Sequence, residues 1–249
     1  MESFFNTLAR SPMLSPRNFQ YACAISGILC SLTFLLGFVA SGFLPPTKPS
    51  WSAERTVQHY RDHEKGIQGG SALLVISGMF YLPLTAAISA QMRRIPNLHY
   101  VVSTLQLASG AAGIFTFMMP GMILAVANYS LDRPVEITKA LNELFWITAL
   151  MPWPTFMAQN FAFAYAIIID SRPTPLFPKP IALLNIVVPV LFVPGIAIHC
   201  VKTGPLAWNG GWTFWLAGGI IWTETETGEK IVDTFPTTLE RVKNDEEDK

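Results

Sequence analysis

The sequence predicts an all-α fold, a polytopic bundle of transmembrane helices with six spans, and three observations carry that expectation. Of 249 residues, 51% are hydrophobic and 14% charged, against about 25% charged in a soluble domain, so the composition cannot cover a surface exposed to water. The charges gather in the joins between apolar runs and in the last part of the chain. The runs themselves reach the roughly 20 residues that a helix needs to cross the hydrocarbon layer.

Taken in order, residues 1–19 read as a cytosolic N-terminal segment. They lack the short apolar core and small-residue cleavage site of a removable signal peptide, so the first span is expected to remain. The spans fall at residues 20–44, 67–90, 100–127, 144–169, 181–200 and 206–223, which together make a helical domain over 20–223. The last run is short and rich in glycine and tryptophan, and the count becomes five if it does not cross. A polar tail, 224–249, follows.

The join 45–66 is long enough to hold an element of its own. After PPTKPS it reads as an amphipathic helix on the bilayer surface, begun near Ser52, with Glu54 in its first turn, Lys65 in its last and Gly66 as the stop. The proline-rich joins 44–49 and 173–180 read as stiff connectors. No internal repeat is visible, which removes one signature of a transporter.

Orientation follows from the basic residues. The side of the termini carries ten Lys and Arg (Arg10, Arg17, Arg93, Arg94, Arg172, Lys179, Lys230, Arg241, Lys243, Lys249) and the opposite side seven. That bias sets the termini in the cytosol, and the multi-pass protein is expected in the endoplasmic reticulum. Seventeen basic residues balance seventeen acidic ones, so nucleic acid has no electrostatic footprint to bind. The cysteines, Cys23, Cys30 and Cys200, have no metal-ligand spacing and read as buried thiols.

No Asp, Glu, Lys or Arg lies at mid-membrane depth, which argues against an ion-coupled carrier or proton pump. The runs instead hold amides (Gln106, Gln159, Asn160, Asn185) and prolines (Pro120, Pro152, Pro154, Pro189, Pro194). Proline frees backbone carbonyls that need partners, and in lipid these are found only toward protein or an internal cavity. A cavity near the fourth run is therefore expected. That run sets Trp146, Trp153 and Phe156 beside Gln159 and Asn160. Aromatic faces attract cations, so such walls suit a carbocation that water would quench, although lipid contact and helix packing explain single rings as well.

The loops opposite the termini hold six acids, Glu54, Asp62, Glu64, Asp132, Glu136 and Glu143. Glu143 stands at the entrance of the aromatic run, where partial burial would keep it protonated as a general acid, with Asp62 and Glu64 as reserve candidates. His59 and His63 are spaced to share a metal, but no third ligand is placed by sequence, and no metal is expected. There is no hydrolase elbow, phosphate loop or dinucleotide fingerprint. Asn128, in Asn128–Tyr129–Ser130, is a glycosylation sequon on the non-cytosolic side, but it abuts the third span too closely for efficient modification to be expected.

Three segments, LPLTAAISAQMRRI at 82–95, MPWPTFMAQN at 151–160 and KTGPLAWNG at 202–210, together resemble a family of small integral membrane proteins. It comprises the membrane-bound terpene cyclases of fungal meroterpenoid biosynthesis, of the kind associated with ascofuranone and macrophorin, and bacterial relatives. The resemblance extends from residue 19 to 215. Similar proteins continue the final span where this chain turns polar.

The resemblance implies a prenylated aromatic or polyketide-derived substrate whose farnesyl chain dissolves in the bilayer. Protonation of a terminal epoxide or alkene would start the cyclisation, and other enzymes of the pathway would be its partners. The aspartate-rich metal motif and the DxDD acid motif are both absent, so a protonation start without metal or other cofactor is the simpler expectation. A non-catalytic membrane protein, transporter-like or a scaffold, is the alternative. Six spans put both termini on one side: reporter fusions at the two ends should report the same compartment, and opposite compartments would favour five.

Overall fold

The computed structural model describes residues 15–216. The polar tail 224–249 and the end of the expected sixth span lie outside them. The described residues form an all-α membrane protein. Four helices are long and apolar enough to cross a bilayer: Pro16–Ala40, Glu64–Met92, Tyr100–Tyr129 and Lys179–His199.

Helix α1, Pro16–Ala40, starts at Ser15, whose Oγ accepts the Asn18 amide at 3.3 Å, with Pro16 inside the first turn where its missing N–H costs nothing. One face (Ile25, Leu29, Leu32, Leu36) is left for lipid, while Ala24, Gly27, Cys30, Gly37 and Phe38 are buried. A loop with Phe43 fully buried leads to α2, Ala53–Asp62, capped by Ser52 with Glu54 in its first turn, as the sequence led one to expect. Its Thr56, Val57 and Tyr60 face the bundle.

The expected end of α2 is displaced. The helix breaks at His63 and the chain continues as α3, Glu64–Met92. Gly66 is therefore no stop: it lies in the first turn of α3, where a Cβ would collide with the carbonyl oxygen of Ala40.

Helix α3 packs against α1 and against both halves of the third run, α4 (Tyr100–Gly113) and α5 (Phe115–Tyr129). The expected fourth span is broken. Pro152 and Pro154 each remove a backbone donor, so the helix α6, Val135–Leu150, ends before them and α7, Pro154–Ile169, restarts with proline in its first turn. Helix α8, Lys179–Phe192, packs on α7 and runs into a 3-10 turn, Val193–His199, that Pro194 imposes.

Of the expected sixth span, residues 206–210 form a turn and Gly211–Trp215 a π-helix, and the part after 216 lies outside the described residues. Within this stretch Trp208 Nε1 donates to Thr47 O at 2.7 Å, which ties the segment to the loop before α2.

The α7–α8 join is locked by one carboxylate. Asp170, 3% exposed, accepts from Arg172 Nη2 at 2.6 Å, Arg172 Nε at 2.8 Å and the Leu176 amide at 2.9 Å. Lys179 Nζ caps the end of α7 through Ile167 O at 2.6 Å and Asp170 O at 2.7 Å. Bonding to Arg172 above all holds the Asp170 carboxyl at about 2, below its ordinary 3.8.

A carboxyl so depressed stabilises the fold above the unfolded value, and the contribution is lost as pH falls toward 2. Asp170→Asn should lower unfolding free energy at pH 7 by about 1–3 kcal/mol, because buried donors lose a charged acceptor. In detergent melts the gap between variant and wild type should close as the pH is taken down from 4 to 2. A gap independent of pH would assign the loss to something other than the carboxylate.

Candidate functional site

The acids and the aromatic rings meet at one end of the bundle. Helix α2 lies on α6 through Tyr60, fully buried, whose hydroxyl donates to Asn142 Oδ1 at 3.2 Å. Burial pushes the Tyr60 phenol far above its usual range, so it stays a donor. One residue beyond Asn142 stands Glu143, and one helical turn beyond that the fully buried Trp146.

Trp146 is the centre of an aromatic cluster. Phe145, Phe43, Phe38 and Phe214 lie 5.1, 5.3, 5.9 and 6.0 Å from it, and Trp208 stacks parallel to it at 6.1 Å and 5°. Thr47 joins the two indoles: Trp146 Nε1 donates to its hydroxyl at 3.0 Å and Trp208 Nε1 to its carbonyl. Both tryptophans thereby bury their rings with the N–H satisfied.

Trp153 and Phe156 belong to a second, inner cluster beyond the α6–α7 break. Phe34 joins the two, 5.0 Å from Phe38 and 5.3 Å from Phe117. Phe117 leads to Phe156 at 6.2 Å, Phe156 to Trp153 at 5.6 Å, and Trp153 to Phe192 at 4.2 Å. An aromatic column thus runs from the acidic end into the membrane interior.

The carbonyls freed by proline find indoles. Val193 N turns to Val190 O, which releases Pro189 O to accept from Trp153 Nε1 at 3.3 Å, and Pro194 and its 3-10 turn leave Leu191 O to Trp212 Nε1 at 2.5 Å.

A polar network borders the column. Tyr81 donates to Gln159 Oε1 at 2.5 Å, and Gln159 Nε2 and Gln106 Nε2 donate to Thr85 Oγ1 at 3.2 and 3.1 Å. Gln106 Oε1 is buried without a partner, an acceptor open to a hydroxyl. Asn160 is buried next to Gln159 in the chain. The cavity described near these groups, about 20 Å³, lies between α1, α3 and α5, walled by Gly27, Phe34, Tyr81, Leu84 and Phe117. It has room for about one water molecule.

Glu143 is partly buried, with 32% of its side chain exposed, and faces Lys202 Nζ at 3.5 Å. Asp62 is exposed and accepts from Gln58 Nε2 at 2.8 Å, and Glu64 is exposed at the start of α3. Beside them His59 and His63 stack at 4.4 Å. His59 Nε2 donates to Ser41 O at 3.2 Å and His63 Nδ1 to His59 O at 3.0 Å. Burial, then His63, pushes the His59 imidazole below its usual range. Among the described residues no three His, Cys, Asp or Glu side chains are grouped to hold a metal ion.

Asn128 is 4% exposed and its amide nitrogen donates to Glu64 O at 2.9 Å, so the fold encloses the atom that a glycan would need. One expectation about the cysteines is corrected. Cys200 is exposed, unlike Cys23 and Cys30, because the chain turns out of the bundle after the 3-10 segment. Thr47, Phe43, Tyr60, Tyr81 and Trp208 were not legible as site residues. Trp208 is 161 positions from Thr47, and only the indole itself, a large ring with one donor, hinted at a buried partner. Comparison of the chain with protein-family models, curated proteins and solved structures finds no match.

Proposed function

We propose that this protein is an integral membrane terpene cyclase that closes rings in the farnesyl chain of a meroterpenoid intermediate. The observation that supports the reading is the aromatic column that begins one turn from Glu143 at Trp146, with Asp62 on the adjoining helix. Glu143 gives its proton to a terminal epoxide oxygen or alkene carbon. The C–O bond opens, or the π-bond takes the proton, and successive π-bonds close on the cation. Loss of a proton to a carboxylate, or capture of water, ends the cascade.

Trp146, and deeper in the column Trp153 and Phe156, stabilise the cations through their faces and keep water away. Gln159 and Asn160 are the polar groups that orient the substrate's oxygenated end, and the open acceptor of Gln106 adds to them. The prenyl chain arrives through the bilayer in which it is dissolved. The protein works in the endoplasmic reticulum with its termini in the cytosol, beside the enzymes that make the prenylated substrate.

Microsomes holding the protein, fed a farnesylated phenol and its terminal epoxide, should form a cyclic product. Glu143→Gln should reduce turnover at least about 100-fold, the contribution of a positioned general acid, with protein abundance unchanged. Full activity in Glu143→Gln, Asp62→Asn and Glu64→Gln alike would put the acid elsewhere, and no product from wild type on either substrate would sink the cyclase reading. Turnover should survive a metal chelator without added nucleotide. Loss restored by magnesium would replace the proton start and turn attention to His59, Asp62, His63 and Glu64.

A further inference from the structure

The 3-10 segment that ends α8 builds a second reactive group, apart from the acids. With three residues per turn, His199 stacks over Ile196, and its Nδ1 lies 2.9 Å from Ile196 O, a carbonyl with two lone pairs in the last turn of the segment. A carbonyl can only accept, so Nδ1 carries the ring proton and Nε2 keeps its lone pair. Cys200 Sγ lies 3.3 Å from that Nε2 and donates its thiol hydrogen to it. The next backbone bond, Cys200 N to Ala197 O at 2.8 Å, fixes the cysteine to the same turn.

The arrangement has the three parts of an activated nucleophile: a thiol, a base within hydrogen-bond reach, and a group that orients the base. It is also exposed, while Cys23 and Cys30 are buried. We propose that Cys200 and His199 form a thiol–disulfide exchange site that takes a low-molecular-weight disulfide. Nε2 of His199 accepts the thiol proton, and the Cys200 thiolate attacks one sulfur of the disulfide. The new bond forms from Sγ as the old S–S bond breaks, and the leaving thiolate takes the proton back from the imidazolium. The product is one mixed disulfide on Cys200 and one released thiol, with no other oxidant needed. The adduct stands two residues from Lys202, the partner of Glu143, so it marks the rim of the aromatic end.

The test uses the full chain in lipid nanodiscs with oxidised glutathione as the probe. One adduct per chain should form, mapping to Cys200, absent in Cys200→Ser and unchanged in a Cys23→Ser/Cys30→Ser double variant. At pH 7 the wild-type rate should exceed that of an unstructured cysteinyl peptide by about tenfold, a modest share of what a positioned base supplies. His199→Ala and His199→Gln should fall to the peptide's rate at pH 7 and converge with wild type near pH 10, where hydroxide deprotonates thiols unaided. A wild-type rate equal to the peptide's, His199 variants as fast as wild type at pH 7, or adducts on Cys23 or Cys30 of the folded protein would overturn the proposal.

Discussion

The approach of α1 to α3 sets the geometry of everything at the acidic end. At Gly66 the first turn of α3 comes so close that the Ala40 carbonyl occupies the place of a side chain, and one turn later Gly70 meets Ser41 and Gly37 in the same way. Lipid tails are as apolar as leucine, so helices in a bilayer gain from contact mainly through dispersion, and small residues let backbones reach the distance where it is effective. The seam also fixes the exit of α1. Gly42, at φ +66°, turns the chain in a left-handed conformation with the His63 ring against its Cα, a position that any Cβ would have to share. The turn delivers Phe43 into the aromatic cluster and Thr47 beneath two indoles.

The second constraint is that backbone carbonyls inside a membrane need donors. Each unsatisfied group costs several kcal/mol in hydrocarbon. Proline creates such groups at Pro189 and Leu191, and Trp153 and Trp212 answer them with indole N–H groups. The same logic gives Asp170 and Lys179 their work at the other end, where a carboxylate and an ammonium satisfy the join between α7 and α8. Tryptophan therefore has two duties in this protein, as wall and as donor, and Trp146 and Trp153 carry both.

How much was legible in the sequence depends on the range of the interaction. Hydropathy is local, so the apolar runs and the all-α class could be read directly, as could the Ser52 cap of α2, which needs only the next three residues. Gly66 was misread because a glycine after a polar turn signals a helix stop, whereas its partner here is Ala40, 26 positions earlier. The run 144–169 was read as continuous because hydropathy averages over Pro152 and Pro154 as it does over any apolar pair. Of the candidate site, Glu143 and Trp146 were proposed from their nearness on one helix. Lys202, Thr47 and Trp208 were not, since each reaches them across a long separation in the chain.

The claim on which this account turns is that the α1–α3 seam holds the aromatic end in place, and two glycines three residues apart separate it from simple helix propensity. A Cβ at Gly69 meets nothing within 4 Å, while at Gly66 it meets the Ala40 carbonyl. Alanine favours a helix over glycine by about 1 kcal/mol, so Gly69→Ala should hold or raise the melting temperature in detergent and leave tryptophan emission unchanged. Gly66→Ala should lower the melting temperature by several degrees in spite of that gain and shift the emission as Trp146 and Trp208 lose their packing. Equal stability and identical emission in the two variants would contradict the account.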